Sequence, residues 1–548
     1  LTDQLLNILH TVNSKSLMWM NLTAALKNIG TGHINIVSEA TGGEFTTKAT
    51  LLKAHEMYIK ALPSLWASLG EYTCNNLDAA LMKLAGNIFE DHIEAGVDTK
   101  TNIVSLGMSK WDNVMFAPNT IGEHYLQFAT FLSAMQTHRI VAGTIMNYDQ
   151  FVFSLRERLF RDMVDDETYT KYKAYKDKQE SVKGNNVEFI DYLSRFIAYR
   201  ANNFTNEWKS NYAKAYKEGL KNARVEFEKN QVIYDAFELK DGIASIKAES
   251  NITLEDFAKF LGKVKGVNHS LHGIYNTFDK SMLSGKMWGE VILQFRKWLR
   301  PNFIRYWGKR VGKIVFDERL ESYRSGAYMD MINFLLSNGK SAYRETIDKA
   351  IENDEDIDFA TKAKAIFNGF CGLLYWFKDI NFRYNTLPQA QKANIKRAMF
   401  NFTTLVGLSL VAASLYAAKD DDDELDENRF FALACYTIYG VQTELYETSP
   451  WGLYSFYKRT MEAPIPFETS MSNVLNLAYW TLIAPMIVDD EEMLYDRGTY
   501  KDEDKRWIAF KKTIPLFNQY NKMFYLPKNN TYYMQQNPIL QMIVELNK

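Results

Sequence analysis

Apolar positions recur along this chain with the period of an α-helix. The clearest case begins at Trp288. Trp288, Val291, Ile292, Phe295, Trp298 and Leu299 fall at i, i+3, i+4, i+7, i+10 and i+11, which is one face of a helix. Pro301, which has no amide hydrogen, stops the pattern. Residues 1–30 carry the same period, first through Leu5, Leu6, Ile8 and Leu9 and then through Leu17, Trp19, Leu22 and Leu26. So do 46–70, 76–96, 148–175, 187–230, 239–267, 317–336 and 341–352. Residues 119–146 are apolar and aromatic, with no alternation. Gly30, Gly32, Gly42 and Gly43 interrupt the first helical stretch, and a polar break spans 177–186. Only 11 of 548 residues are proline, which permits long helices. The expectation is an all-α fold, elongated and built from several bundles, with few or no strands. Well over half of the chain should be helix and under about a tenth strand. The breaks divide it into an N-terminal helical unit (1–176), a charged helical region (187–265), a central unit (266–352) and a C-terminal apolar core with an aromatic tail (360–548).

Two uncharged runs depart from amphipathicity. Asn401 to Ala418 contains no charge in 18 residues, with Lys396 and Arg397 before it and the acidic tract Asp420 to Glu427 after it. That is the minimum length for a membrane-spanning helix. Leu405, Leu408, Val411 and Leu415 supply its apolarity, diluted by Thr, Ser, Gly and Ala. Ser409, Ala413 and Ala417 form a small-residue stripe that lets helices approach closely. A second run, Thr469 to Val488, contains Trp480 and Pro485 and ends at Asp489–Glu492. A shorter one lies between, at 430–443. These helices suit a buried core or a membrane-active hairpin. The core is the expectation for the stored form, because an uncovered run of this kind is an aggregation-prone patch.

Charge changes the picture only locally. A net charge of −2 leaves any attraction to an anionic partner to patches. The strongest patch follows the Trp-rich face: Lys286, Arg296, Lys297, Arg300, Arg305, Lys309, Arg310 and Lys313, opposed before Asp317 only by Glu290. Such a stretch suits a nucleic-acid backbone, an anionic lipid surface or an acidic protein, and equally a core-packed helix whose cations face water. The contact residues it nominates are Arg296, Lys297, Arg300, Arg305, Lys309, Arg310 and Lys313. In the tail, Lys505, Arg506, Lys511, Lys512 and Lys522 interleave with Trp507, Phe510, Phe517 and Tyr520. That mixture fits single-stranded nucleic acid or docking, though Asp502, Glu503 and Asp504 oppose it.

At 548 residues the chain exceeds one ordinary core. Cys74, Cys371 and Cys435 are too far apart for a zinc pair or a disulfide framework and read as reduced, buried small residues. The sequence begins at Leu1 inside a helical pattern, so a processed product or a piece of a longer polypeptide is expected. Candidate chemistry is sparse. The glycines at 30–32 and 42–43 lack the spacing and lysine of a phosphate loop. His92 sits between acids in EDHIE and would supply too few ligands for a metal. His124 and His138 lack a zinc-protease glutamate, and His269 and His272 stand alone. Asp354, Asp356 and Asp358 form a D-x-D-x-D string able to hold magnesium in another setting, but an exposed helix-capping turn without metal is expected, because they lie between two helices. Thr253 should cap a helix, with Asp256 in its first turn. No catalytic set is complete, so neither catalysis nor a cofactor is expected.

Three stretches taken together resemble a known group of proteins. They are LHGIYNTFDKSMLSGKMWGEVILQFRKWLRPNF at Leu271–Phe303, the uncharged run with its acidic tract at Asn401–Glu427, and YDRGTYKDEDKRWIAFKKTIP at Tyr495–Pro515. The likeness, of order rather than of a strict motif, covers Gly266 to Pro527. It is to large virion-packaged proteins of tailed bacteriophages, especially crAss-like phages. The resemblance implies a cargo or ejection protein held in the capsid or tail and delivered into the host with the genome. Its implied partners are other virion proteins such as portal or tail components, copies of itself, phage DNA, and transiently a membrane. The alternatives are an accessory or C-terminal module of a virion RNA polymerase and a nucleic-acid-binding helical scaffold. No polymerase catalytic residue is carried over, since Ile357 stands where the Asp string would need glycine.

Overall fold

The computed structural model describes residues 22–67, 73–89, 122–152, 154–183, 204–272, 299–308, 326–336, 387–421, 429–452, 467–496 and 500–513, with short pieces between them. Among the described residues 78% are helical and the few strands are short, the mostly helical class that the periodicity predicts.

Four helices open the described chain: α1 (Leu22–Gly42), α2 (Lys48–Ala67), α3 (Leu77–Phe89) and α4 (residues 122–137). Ile36, Leu81 and Phe131 on their inward faces, with Phe45 between α1 and α2, reach zero exposure in one continuous core. Each large apolar side chain removed from water there contributes about 1.5–3 kcal/mol. Gly30 and Gly32 do not interrupt α1, contrary to expectation. A Cβ at Gly30 would stand 3.0 Å from Cγ2 of Val441, so the glycine lets another helix pack close. The helix ends where Gly43 adopts φ +76° and its amide donates to the Glu39 carbonyl (3.2 Å).

Residues 119–146 are not one helical stretch. After α4 come β1 (Arg139–Val141) and β2 (Thr144–Met146), an antiparallel hairpin whose two turn residues, Ala142 and Gly143, both have positive φ. Strands this short carry too few positions to show a period of two. A single turn α5 (Tyr148–Phe151), α6 (Leu155–Met163), α7 (Asp166–Lys183) and α8 (Asn206–Glu228) follow. Helix α7 runs through the first part of the expected polar break, because a polar stretch on a solvated helix needs no apolar stripe. Phe160 anchors a second core made of rings: Tyr172, Phe204, Trp208 and Tyr212 lie 5.4–6.3 Å from it, mostly edge-on.

Strand β3 (Gln231–Val232) then pairs with β1, giving the order β2-β1-β3. Next, β4 (Phe237–Lys240) and β5 (Ile243–Ile246) form a second hairpin inside the stretch expected to be wholly helical. Asp241 and Gly242 turn it with φ of 52° and 79°, the geometry for which an Asp-Gly pair is the strongest local signal. Helix α9 (Leu254–His272) starts as predicted. Thr253 Oγ1 accepts from the Asp256 amide (3.2 Å), and Asp256 Oδ2 accepts from the Thr253 amide (2.9 Å). After α10 (Leu299–Trp307), the hairpin β6 (Val315–Asp317) and β7 (Ser322–Arg324), and α11 (residues 327–336) comes the longest of the described helices, α12 (Gln389–Asp421). Helix α13 (Arg429–Thr448), α14 (Phe467–Ala478) and α15 (Lys505–Thr513) complete the description. Helix α1 packs against both α12 and α13, so a helix of the expected N-terminal unit joins two of the expected C-terminal unit. Lys27 and Glu444 reinforce this contact at 2.8 Å.

Candidate functional site

The junction of α1, α11 and α12 holds the most strongly buried charges among the described residues. Arg397 is only 2% exposed. Its Nη2 donates to Glu39 Oε1 (2.8 Å) and to the Glu44 carboxylate, and its Nη1 donates to Asn394 Oδ1 (2.7 Å). The Asn394 amide in turn donates to Asp330 Oδ2 at 2.7 Å. The sequence makes room for this in one place. A Cβ at Gly42 would stand 2.7 Å from Arg397 Nε, so the last residue of α1 has to be glycine for the guanidinium to fit. A buried guanidinium shared by two carboxylates is a poor source of net stability but a strong selector of register. With both carboxylates also nearly fully buried, the cluster acts on the helices that carry it and fixes their positions.

A second polar line runs beside it. Arg305 Nη2 donates to the Asn35 carbonyl (3.1 Å), the Asn35 amide donates to the Leu271 carbonyl (3.1 Å), and Trp307 Nε1 donates to the Thr448 carbonyl (2.9 Å). These bonds tie α10 to α1 and α13, and α1 to α9.

Between α1, α2 and α4 lies a cluster that the sequence did not suggest. His55 Nδ1 and the Tyr125 hydroxyl are hydrogen-bonded at 2.9 Å, as are His124 Nδ1 and the Tyr58 hydroxyl. The His33 ring sits 5.3 Å from that of His55, and the Tyr58 and Tyr125 rings meet edge-on at 5.3 Å. Burial lowers all three imidazoles, His124 to about 4, and raises the Tyr58 hydroxyl to about 12 and the Glu123 carboxyl to about 7. The local spacing His55-x-x-Tyr58 and the neighbours His124 and Tyr125 were the only available signals. Their pairing depends on how α2 lies across α4. Among the described residues no three His, Cys, Asp or Glu side chains are placed to share a metal ion.

The residues nominated from sequence are placed as follows. Arg296, Lys297, Lys309, Arg310 and Lys313 lie outside the described residues, as do Trp288, Phe295, Trp298 and the string Asp354, Asp356 and Asp358. Arg300 falls in α10, and its side chain is also outside the description. Arg305 is half-buried against Asn35, so part of its donor capacity is used inside the chain.

The uncharged run 401–418 lies wholly within α12. Leu405 is buried, Leu408 and Leu415 are partly buried, and Val411 is exposed. Burial is therefore met on one face only. On that face Ser409 accepts a hydrogen bond from Gln442 Nε2 (3.0 Å), and Ala412 packs with Cys435 and Tyr439 of α13. Of the expected small-residue stripe Ser409 meets α13, joined by Ala412, while the side chains of Ala413 and Ala417 lie outside the description. No described helix is long and apolar enough to cross a membrane. In the tail, Lys505 lies 4.7 Å over Trp480, Lys511 5.2 Å over Trp507 and Lys512 4.4 Å over Tyr500, while Arg506 pairs with Asp504 at 2.7 Å. These cations are engaged within the chain rather than arrayed along a groove. Cys74 and Cys435 are buried, as expected for small apolar residues. No protein-family model matches the chain, and no curated protein or solved structure matches it.

Proposed function

We propose that this chain is a cargo or ejection protein of a tailed-phage virion, stored in the particle and delivered into the host with the genome. In this reading it is an elongated multi-bundle helical protein without catalysis of its own, held against portal or tail components or other copies of itself. Contact with phage DNA and a transient contact with membrane belong to delivery.

The observation that supports the reading is the outer face of α12. Met399, Phe402, Val406 and Leu410 follow one another along a single side and are 57%, 45%, 43% and 54% exposed. Trp451, just beyond α13, lies against Phe402 with ring centroids 5.3 Å apart and the planes tilted by 40°. Single apolar residues on a surface need no explanation, but a contiguous stripe marks an interaction face. The inner face of the same helix is fixed by Arg397 and Ser409, so the stripe is not left over from a loosely packed helix.

Quantitative mass spectrometry of gradient-purified, nuclease-treated particles tests the reading. Peptides of this chain should be present at a fixed ratio to the major capsid protein and should leave the particle with the DNA on triggered release. Their absence from purified particles, or their retention in emptied ones, contradicts it.

A further inference from the structure

Among the described residues, the two large apolar side chains that water reaches most freely, Met486 and Ile487, are neighbours, and they do not lie on α12. Helix α14 passes into a π-helical turn, Tyr479–Ile483, and then a 3-10 turn, Ala484–Met486. Leu475, Tyr479, Leu482, Ile483, Met486 and Ile487 are 62%, 40%, 66%, 47%, 86% and 73% exposed along this path. Only Ala484 is buried, and it accepts backbone hydrogen bonds from Ile487 and Val488 (3.0 and 2.9 Å) that fold the chain over. A side chain 86% exposed has no groove walls beside it, so Met486 and Ile487 stand on a convex tip.

The surroundings of the tip say what it fits. No charged residue occurs from Thr469 to Val488. Behind the tip stands a collar of rings and lysines: Lys505 lies over Trp480 at 4.7 Å and over Tyr495 at 5.8 Å, and α15 carries Trp507 with Lys511 over its ring at 5.2 Å. An apolar tip backed by Trp, Tyr and Lys matches the depth profile of a bilayer, with acyl chains below and the headgroup zone above. A protein partner would need a pocket shaped for the tip, whereas a bilayer accepts a convex one without a preformed cavity. The charge balance selects the lipid. Residues 467–513 carry nine acidic and six basic residues, a net charge of −3, and Asp489 and Glu492 beside the tip are exposed. An anionic surface is therefore not favoured.

The geometry points to the tip Leu482–Ile487 as an interfacial anchor for an electrically neutral bilayer, acting in the folded protein and without a transmembrane span. This differs from entry of the 401–418 run into lipid, which requires α12 to leave α1 and α13. The inference rests on the delivery reading only for the moment at which membrane is met. Particle composition and lipid binding are separate measurements, so either can fail alone.

The test is flotation of the full chain with phosphatidylcholine vesicles, with and without added phosphatidylglycerol. The parent protein should float with neutral vesicles, and the anionic lipid should not increase the bound fraction. Met486→Asp with Ile487→Asp should lower binding about tenfold or more, with an unchanged circular dichroism melt. Met486→Gln with Ile487→Gln, a milder change, should lower it in the same direction. Val406→Asp with Leu410→Asp on α12 should float as the parent does. A parent protein that stays with the unbound fraction overturns the anchor, and so do tip variants that float unchanged. Loss of a self-associated species on gel filtration in the tip variants, without loss of flotation, also overturns it and assigns the tip to a second copy.

Discussion

Arg397 is the residue on which the helix junction turns. In Arg397→Ala, Glu39 and Glu44 face each other in a buried site with their shared cation gone. Removing one side of a buried pair costs about 3–5 kcal/mol, so the urea midpoint should fall sharply. A triple variant, Glu39→Gln, Glu44→Gln and Arg397→Met, should regain most of that loss because no uncompensated charge remains. His138 tests burial in a different way. Its ring packs on Phe45 and Phe260 at 4.8 and 5.1 Å, and burial, with Lys263 nearby, pushes the imidazole down to about 4. The unfolded chain takes up this proton near pH ~6.5, and the native state resists it until about pH 4. Stability should therefore be complete above pH ~6.5 and decline as pH falls through that window. Glu123, raised to about 7, works in the opposite direction. The readout is thus the difference between parent and His138→Gln in denaturation from pH 7 to 4.5: the variant should lose less stability than the parent.

The hairpins show where reading by element succeeds and where it stops. Gly242 has φ +79°, and a Cβ there would stand 2.7 Å from Thr73 Cβ. Gly242→Ala should destabilise by about 1–2 kcal/mol or more, visible as a lower thermal midpoint. No loss would mean that the β4–β5 turn is not formed as described. The long helices were legible because a period near 3.6 repeats many times within each, and the Thr253 cap because its partner lies three residues away. The β1–β2 and β4–β5 hairpins were not, since three or four residues per strand cannot display alternation, and the Asp241-Gly242 signal was subsumed in a helical stretch. Gly30 looked like a breaker because the neighbour that needs its missing side chain, Val441, is more than four hundred residues away. The His–Tyr cluster and the Arg397 site were invisible for the same reason. Each is assembled from helices that only the fold brings together.

At the scale of the whole molecule, α12 has one side locked into the fold and one side turned out. The inner side is held by Arg397, Leu405, Ser409 and Ala412, and the outer side presents Met399, Phe402, Val406 and Leu410. The uncharged run therefore reads correctly as apolar, while its number of covered faces was not legible from sequence. Val406→Glu with Leu410→Glu should leave the melting temperature nearly unchanged, because both residues are exposed, and should prevent incorporation into particles in an infection complemented with the variant. The most direct measurement is a cryo-EM map of the intact virion at side-chain resolution around this chain. The account predicts that the outer face of α12, from Met399 to Leu410 with Trp451, lies against a neighbouring virion protein or another copy of the chain. Density for the chain with that face open to solvent, or a fully resolved particle without the chain, would contradict it.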